Sequence, residues 1–315
     1  MVFIEYCDGY EQLPLFHSLR TEGIMDEMNN DKDKPNNEGA DPSDNTGKKR
    51  SRYARKKKPD IVFDDLRMAA LMMFERLEFA TYESAHHMLA IDFPDKRERE
   101  IDDAVKELHD LEYARVIPRD THLPNVLQLD KRGMKMLVDF GVDREKLSVY
   151  TGSPGYLAHK EQRDYFCAAL THALNEGHTD MEAWEREYLL EVPKTRTAPK
   201  ITFKPDAIMR IPNRRGGKNR LPLEVHTGSQ FSARIMGDKI SRHLIFHKNL
   251  PATDGPDMWR SLFIAKTEAE MKWLISLARE SPNLWFHHEA AFKQNYQNSL
   301  AGWMAGDGST HMLTE

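Results

Sequence analysis

The sequence predicts an α+β protein: a small helical segment closed by a β-hairpin, then a larger segment in which strands and helices alternate about a central mixed sheet. Two patterns carry this expectation. Between Asp60 and Gly141, apolar residues recur at helical spacing in three successive stretches before two short β-rich runs. From Ser153 onward, strand-like runs alternate with helical stripes, the order expected of a sheet flanked by helices. A chain of 315 residues has the length of about two domains.

Residues 1–59 read as an arm outside both segments. Residues 23–47 are polar, carry Asp26, Glu27, Asp31, Asp33, Glu38, Asp41 and Asp44, and show no apolar period, so they read as an acidic disordered linker. The sign then reverses. Lys48, Lys49, Arg50, Arg52, Arg55, Lys56, Lys57 and Lys58 crowd together, with Tyr53 among them. Such a run repels itself and stays extended until it meets an anion. A DNA backbone is the expected partner, bound with release of counterions; a solvated tail is the alternative. The chain as a whole carries 45 Lys+Arg against 50 Asp+Glu, a net charge of −5, so the basic character is local.

Residues 60–145 form the first folded unit. Leu66, Ala70, Met73 and Leu77 mark one helix. Thr81 is the N-cap of a second, over Tyr82 to Leu89. Ile101, Val105, Leu108 and Leu111 line a third, with Pro94 at its start. Ala114–Ile117 and Asn125–Leu129 read as two strands around a turn, and a further helix with Met134, Leu137 and Val138 ends at Gly141. Three helices and a β-wing resemble a winged helix-turn-helix. That resemblance implies DNA contact through Lys96, Arg97 and Arg99 at the third helix, and through Arg115 and Arg119 on the wing. Asp102 and Asp103 make this helix less basic than a usual groove reader.

Residues 150–295 form the second. A helix runs from Ser153 to Leu174, and strands are expected at Glu185–Val192, Lys200–Ile211 and Leu221–Thr227. Phe231, Ile235, Ile240 and Leu244 mark a long helix. A strand at Arg260–Ala265, a helix at Glu268–Ala278 and a last strand at Trp285–Phe292 follow. Residues 296–315 read as a Gly-rich, poorly ordered tail. The loop with Arg214 and Arg215 is a further basic patch offered to DNA.

The informative constellation is Pro205-Asp206 followed by Glu224-Val225-His226. On neighbouring strands, Asp206 and Glu224 can project to one side. Two close carboxylates suit Mg2+, or Mn2+, with waters and a substrate phosphate completing the shell. A cation so held activates water and neutralises charge on a scissile phosphate. His226, two residues on, falls on the same strand face as Glu224, and Lys239 on the next helix is within reach. By spacing alone, Asp206 also fits a strand-end cap and Glu224 a surface carboxylate.

Residues 153–292, with the winged-helix-like segment before them, resemble the replication-relaxation family, which includes the MOBC-type plasmid relaxases. The resemblance rests on Leu129-Asp-Lys-Arg-Gly133, Tyr156-Leu-Ala-His-Lys-Glu161, Trp184-Glu-Arg-Glu187, Lys204-Pro-Asp-Ala207 and Leu223-Glu-Val-His-Thr-Gly228, with Lys239 after them. It implies a restriction-endonuclease-like core of the PD-(D/E)xK kind and a DNA nickase or relaxase of a plasmid or mobile element. The implied target is double-stranded DNA at an origin of transfer or replication. Accessory mobilization proteins and a second copy of the chain are further implied partners. Asp206 and Glu224 would be metal ligands, with His226, Lys239 and Glu161 completing the catalytic set, Glu161 as an outer ligand. His159 is expected only to orient its neighbours. The family usually has an acid where His226 stands, and the general nuclease pattern has a lysine. Lys239 is then expected to supply the missing charge. A DNA-binding replication or transcription regulator with a degenerate nuclease fold is the alternative.

Other chemistries lack their signals. Tyrosine relaxases hold metal with a His-x-His strand, whereas His86-His87 and His287-His288 are adjacent pairs that point to opposite strand faces. There is no Walker-type loop, no GxSxG elbow and no paired-cysteine zinc pattern. No long apolar run and no signal-peptide pattern is present, so a cytoplasmic protein without a membrane partner is expected.

Overall fold

The computed structural model describes residues 63–117, 124–147, 154–176, 183–186, 188–192, 200–213, 215–226, 233–250, 257–278 and 280–314. The acidic linker, the basic run, Arg119 and Arg214 lie outside the described residues.

The helical segment begins with α1 (Asp65–Arg76), whose N-cap Asp64 accepts from the Arg67 amide. α2 (Tyr82–Asp92) starts with a capping box in which Thr81 and Ser84 satisfy each other's amides. α3 (Glu98–Asp110) is amphipathic, burying Ile101, Ala104, Val105 and Leu108. Pro94 sits in the turn between α2 and α3, not inside a helix, because α3 begins only at Glu98, where Glu100 reaches back to the Arg97 amide. β1 (Ala114–Ile117) and β2 (Val126–Leu129) pair antiparallel. An isolated bridge joins Ala80 to Leu127, adding one more backbone rung to this hairpin. α4 (Lys131–Asp139) then packs so closely on the hairpin that a Cβ at Gly133 would meet the Tyr113 carbonyl oxygen at 2.2 Å.

The long helix α5 (Pro154–Glu176) leads into the sheet segment. The expected strand at Glu185–Val192 is two strands. β3 (Ala183–Arg186) joins the main sheet and β4 (Leu190–Val192) leaves it, because Tyr188 and Leu189 between them turn outward and stay exposed. The expected strand at Lys200–Ile211 also divides, into β5 (Ile201–Phe203), which pairs with β4, and β6 (Ala207–Pro212). The break falls at Lys204-Pro205-Asp206, where proline has no N–H to give a ladder. β7 (Lys218–Val225), α6 (Ala233–Asn249), β8 (Met258–Trp259), β9 (Ser261–Ala265) and α7 (Glu268–Leu277) follow. β10 (Leu284–His288) is shorter than expected. The chain turns into α8 (Glu289–Gln294), which directs Phe292 into the core against Phe166 rather than alternating it outward.

The segment expected as a poorly ordered tail contains β11 (Trp303–Ala305) and β12 (Thr310–His311). Trp303 and Leu313 are fully buried there, so apolar packing overrides the weak local strand signal of a Gly-rich stretch. The sheet has eight strands in the order β12-β11-β10-β9-β7-β6-β3, with β8 also on β7. β3, β6 and β7 run antiparallel, β7, β9 and β10 are parallel, and β11 and β12 close one edge antiparallel. The protein is thus α+β with a mixed central sheet and, among the described residues, eight α-helices. No helix among them is long and apolar enough to cross a membrane.

α5 joins the two segments. Its Phe166, Cys167, Ala169, Leu170 and Leu174 share one apolar cluster with Leu66, Leu71 and Leu108 of the helices and with Met209, Leu223 and Leu262 of the sheet. Charges reinforce the join. Lys160 donates to both oxygens of Glu78 at 2.8 Å, Arg163 contacts Glu78 and Asp164, and Asp164 accepts from the Phe79 amide.

Candidate functional site

Asp206 and Glu224 meet at one end of the sheet. Asp206 sits just before β6 and its amide donates to the Leu223 carbonyl, which sets it beside the penultimate residue of β7. Its Oδ2 accepts from the Val225 amide at 2.8 Å. The carboxylates share one cation: Lys239 Nζ of α6 hydrogen-bonds to Glu224 Oε2 and lies 3.8 Å from Asp206 Oδ2. Helices from both sides reach this sheet end. α5 brings His159 Nε2 to Asp206 Oδ1 at 2.9 Å, and α6 brings His243 Nε2 to Glu224 Oε1 at 3.1 Å.

The charge state follows from these contacts. Burial alone would push the Asp206 carboxyl up, but Lys239, the His159 hydrogen bond and the Val225 amide outweigh it and hold it well below the usual carboxylate range. Burial likewise disfavours the Lys239 ammonium, and Glu224 and Asp206 overcome it, so its pKa is raised. At neutral pH, Asp206 is therefore an anion and Lys239 a cation.

The remaining expected residues are distributed unevenly. His226 is buried just past β7, but its Nδ1 faces Glu270 Oε2 of α7 at 3.4 Å rather than the carboxylate pair. Burial, with Lys239 and His159 nearby, lowers its pKa against the pull of Glu270. On α5 the side chain that meets Asp206 is His159. In the helical segment, Lys96 and Arg97 pair with Glu100, and Arg99 with Asp103. α3 carries Glu98, Glu100, Asp102, Asp103, Glu107 and Asp110 against Arg99 and Lys106, so its solvent side is acidic. Arg115 donates across the hairpin to Gln128 at 2.8 Å, and Arg215 is exposed on the β6–β7 turn.

Sequence reasoning missed a buried relay behind Glu224. His243 Nδ1 lies 2.7 Å from Ser261 Oγ, and Ser261 Oγ lies 2.8 Å from His247 Nε2. His243 and Ser261 are wholly buried. Burial, then the charges of His243 and Arg260, push His247 down to about 3. The available signal was spacing: His243 lies one helical turn after Lys239, so both fall on one side of α6.

The chemistry of the donors fits a hard cation. Two carboxylates already converge on an ammonium, and Asp206 stays ionised, as an oxygen ligand of Mg2+ or Mn2+ must. Among the described residues, no group of three or more His, Cys, Asp or Glu is arranged to hold a metal. Against known proteins, the chain matches no family model, no curated protein and no solved structure.

Proposed function

We propose that this chain is a metal-assisted DNA nickase or relaxase of a plasmid or mobile element, which hydrolyses a phosphodiester of origin DNA at Asp206, Glu224 and Lys239. The observation that carries the reading is Lys239 Nζ lying on both carboxylates at once. It supports a site that concentrates two anions and one cation where a phosphate would react. The order α5, antiparallel β3-β6-β7, α6 and parallel β9 supports a nuclease-like core. The order of helix, bridge at Ala80, two helices and hairpin supports a winged helix.

In this reading Asp206 and Glu224 would hold Mg2+ or Mn2+, which would supply a water of lowered pKa and neutralise phosphate charge. The chain's own groups do the rest. His159 and the Val225 amide fix the Asp206 carboxylate. His243 fixes Glu224. Lys239 supplies positive charge to the phosphorane oxygens, the role that His226, turned toward Glu270, leaves open. The acidic side of α3 directs DNA contact away from that helix and toward the basic run at 48–58, the wing and the β6–β7 turn.

A supercoiled plasmid carrying an origin from the host element tests this. Wild-type protein converts it to the nicked form only with Mg2+ or Mn2+, and Asp206→Ala abolishes conversion. Nicking by Asp206→Ala at the wild-type rate ends the proposal.

One observation favours a second reading, a DNA-binding regulator without catalysis: both Glu224 oxygens are already engaged, by Lys239 and His243, and its side chain is 3% exposed. Magnesium titration by calorimetry separates the two, since a regulator of this kind binds DNA but takes up no metal.

A further inference from the structure

Lys239, His243 and His247 follow one another at four-residue steps on α6, a rise of about 6 Å for each step. On the sheet beneath, β9 runs parallel to β7 with Phe263 level with Glu224. Ser261 therefore stands one strand over and two residues back, on the same sheet face as Glu224. Two strand residues span about 6.6 Å, nearly the helical step. The match lets one imidazole serve two partners. His243 Nε2 lies 3.1 Å from Glu224 Oε1, and its Nδ1 lies 2.7 Å from Ser261 Oγ. His247, one turn on, brings Nε2 to the same hydroxyl at 2.8 Å.

The direction of this chain follows from its acceptors. Glu224 takes the Lys239 ammonium on Oε2, and its Oε1 accepts from His243, so His243 Nε2 carries a hydrogen. A neutral imidazole then has a lone pair on Nδ1, which accepts the single hydrogen of the Ser261 hydroxyl. Ser261 Oγ, having given its hydrogen, accepts from His247 Nε2. With both rings neutral, this is the one order in which every donor meets an acceptor. His243 and Ser261 are wholly buried, and the rings of Phe203 and Phe263 pack on His243 at 4.6 and 5.0 Å, so water has no access to the middle of the chain. A buried network in which each member is satisfied holds its groups in one arrangement.

We propose that Ser261 and His247 are positioning residues for the Asp206–Glu224 site: through His243 they hold Oε1 of Glu224 and leave Oε2, which shares Lys239 with Asp206, as the oxygen offered to a cation. Neither residue needs to touch a carboxylate to do this. Outer partners of this kind orient a metal ligand, and their loss typically lowers metal affinity about tenfold to a hundredfold. The inference deepens the metal-assisted reading and rests on it for its consequence, while the hydrogen-bond order stands by itself.

Nitrogen NMR of the histidine side chains in the full, metal-free chain reads the order, and thermal unfolding across a Mg2+ series reads the consequence. In wild type, His243 and His247 are each expected to carry hydrogen on Nε2 alone. Ser261→Ala is expected to shift the His243 Nδ1 resonance to that of a lone pair without a donor. It should also raise the Mg2+ concentration for half of the Tm increase about tenfold or more. His247→Phe keeps a ring but loses the donor, and should move that midpoint the same way. His247→Gln keeps an N–H for Ser261 and should recover the wild-type midpoint, which packing alone would not do. A His247 with its hydrogen on Nδ1, or a His243 with hydrogen on both nitrogens, overturns the proposal. So does a Mg2+ midpoint equal to wild type in both Ser261→Ala and His247→Phe. A wild type without any Mg2+ response ends the metal reading, and the metal-free spectra then decide by themselves whether Ser261 and His247 hold Glu224.

Discussion

The rings of His87 on α2 and His172 on α5 face each other Nδ1 to Nδ1 at 3.0 Å, so at most one of those nitrogens can carry a proton comfortably. His172 stacks on Tyr296 at 4.6 Å, and Tyr296 and Gln297 both donate to Glu176. Burial first, then His172 and His86, lower His87 to about 4 against the opposing pull of Glu176. Tyr165, a further ring against His87 beside that of Tyr296, donates to Glu83. The folded pKa lies below the ordinary 6.5, so the unfolded chain takes up a proton first. Stability is complete above about pH 6.5, falls as pH drops toward 4, and levels off below that. The loss from His87 is on the order of 2–3 kcal/mol. His87→Asn is expected to flatten this slope in Tm measured from pH 7 to 4; an unchanged slope assigns it to other groups.

Removing the lysine shared by Asp206 and Glu224 leaves two carboxylates facing each other without a counter-charge. Lys239→Met is expected to cost roughly 1–3 kcal/mol in urea unfolding. Added Mg2+ should restore more stability to this variant than to wild type, because a cation that binds only the folded state adds to stability by mass action. Equal Mg2+ effects on the two proteins would show that the carboxylates do not take up the ion.

The ion cluster where α5 meets the helical segment should be far more sensitive than the surface pairs on α3. Glu78→Ala removes the carboxylate shared by Lys160 and Arg163, whose side chains are only 10% and 3% exposed, and although Arg163 keeps Asp164 the loss is expected to cost about 3–5 kcal/mol. Arg97→Ala breaks a pair in which the arginine is 83% exposed and should change stability by about 0.5 kcal/mol or less. Chemical denaturation of both variants measures the contrast.

Gly133→Ala is expected to destabilise by roughly 1–3 kcal/mol despite its higher helix propensity. The added methyl would meet backbone, the Tyr113 carbonyl at 2.2 Å, along with Leu129 Cδ1 at 2.8 Å. A variant as stable as wild type would mean that α4 can lift off the hairpin at little cost.

Much of this was legible in the sequence, for local reasons. Leu66, Ala70 and Met73 mark α1, and Thr81 announces α2, because periodicity and caps act within a turn or two. Asp206 beside Glu224 was legible because the two fall on strand signals close in the chain that pair with one another, whereas the break at Pro205 that starts β6 was not read. The contact of His226 with Glu270 was hidden because that partner lies 44 positions away on α7. His243 with Ser261 was hidden because the two are distant in the chain. β11 was hidden because Trp303 belongs there by virtue of His287 and Phe292, not of its own neighbours.

The edge formed by β11 and β12 bears on how the chain matures during synthesis. β10 is Leu284-Trp-Phe-His-His288, apolar and flat on the sheet, and its outer side is covered only when residues 303–305 arrive. The Asn219 side chain waits 94 positions for the Leu313 carbonyl that satisfies it. A nascent or prematurely stopped chain therefore carries an open apolar strand, the kind that recruits other chains. Proteins ending before Trp303 should accumulate as aggregates, and ribosome pausing in that stretch should raise their demand for chaperones.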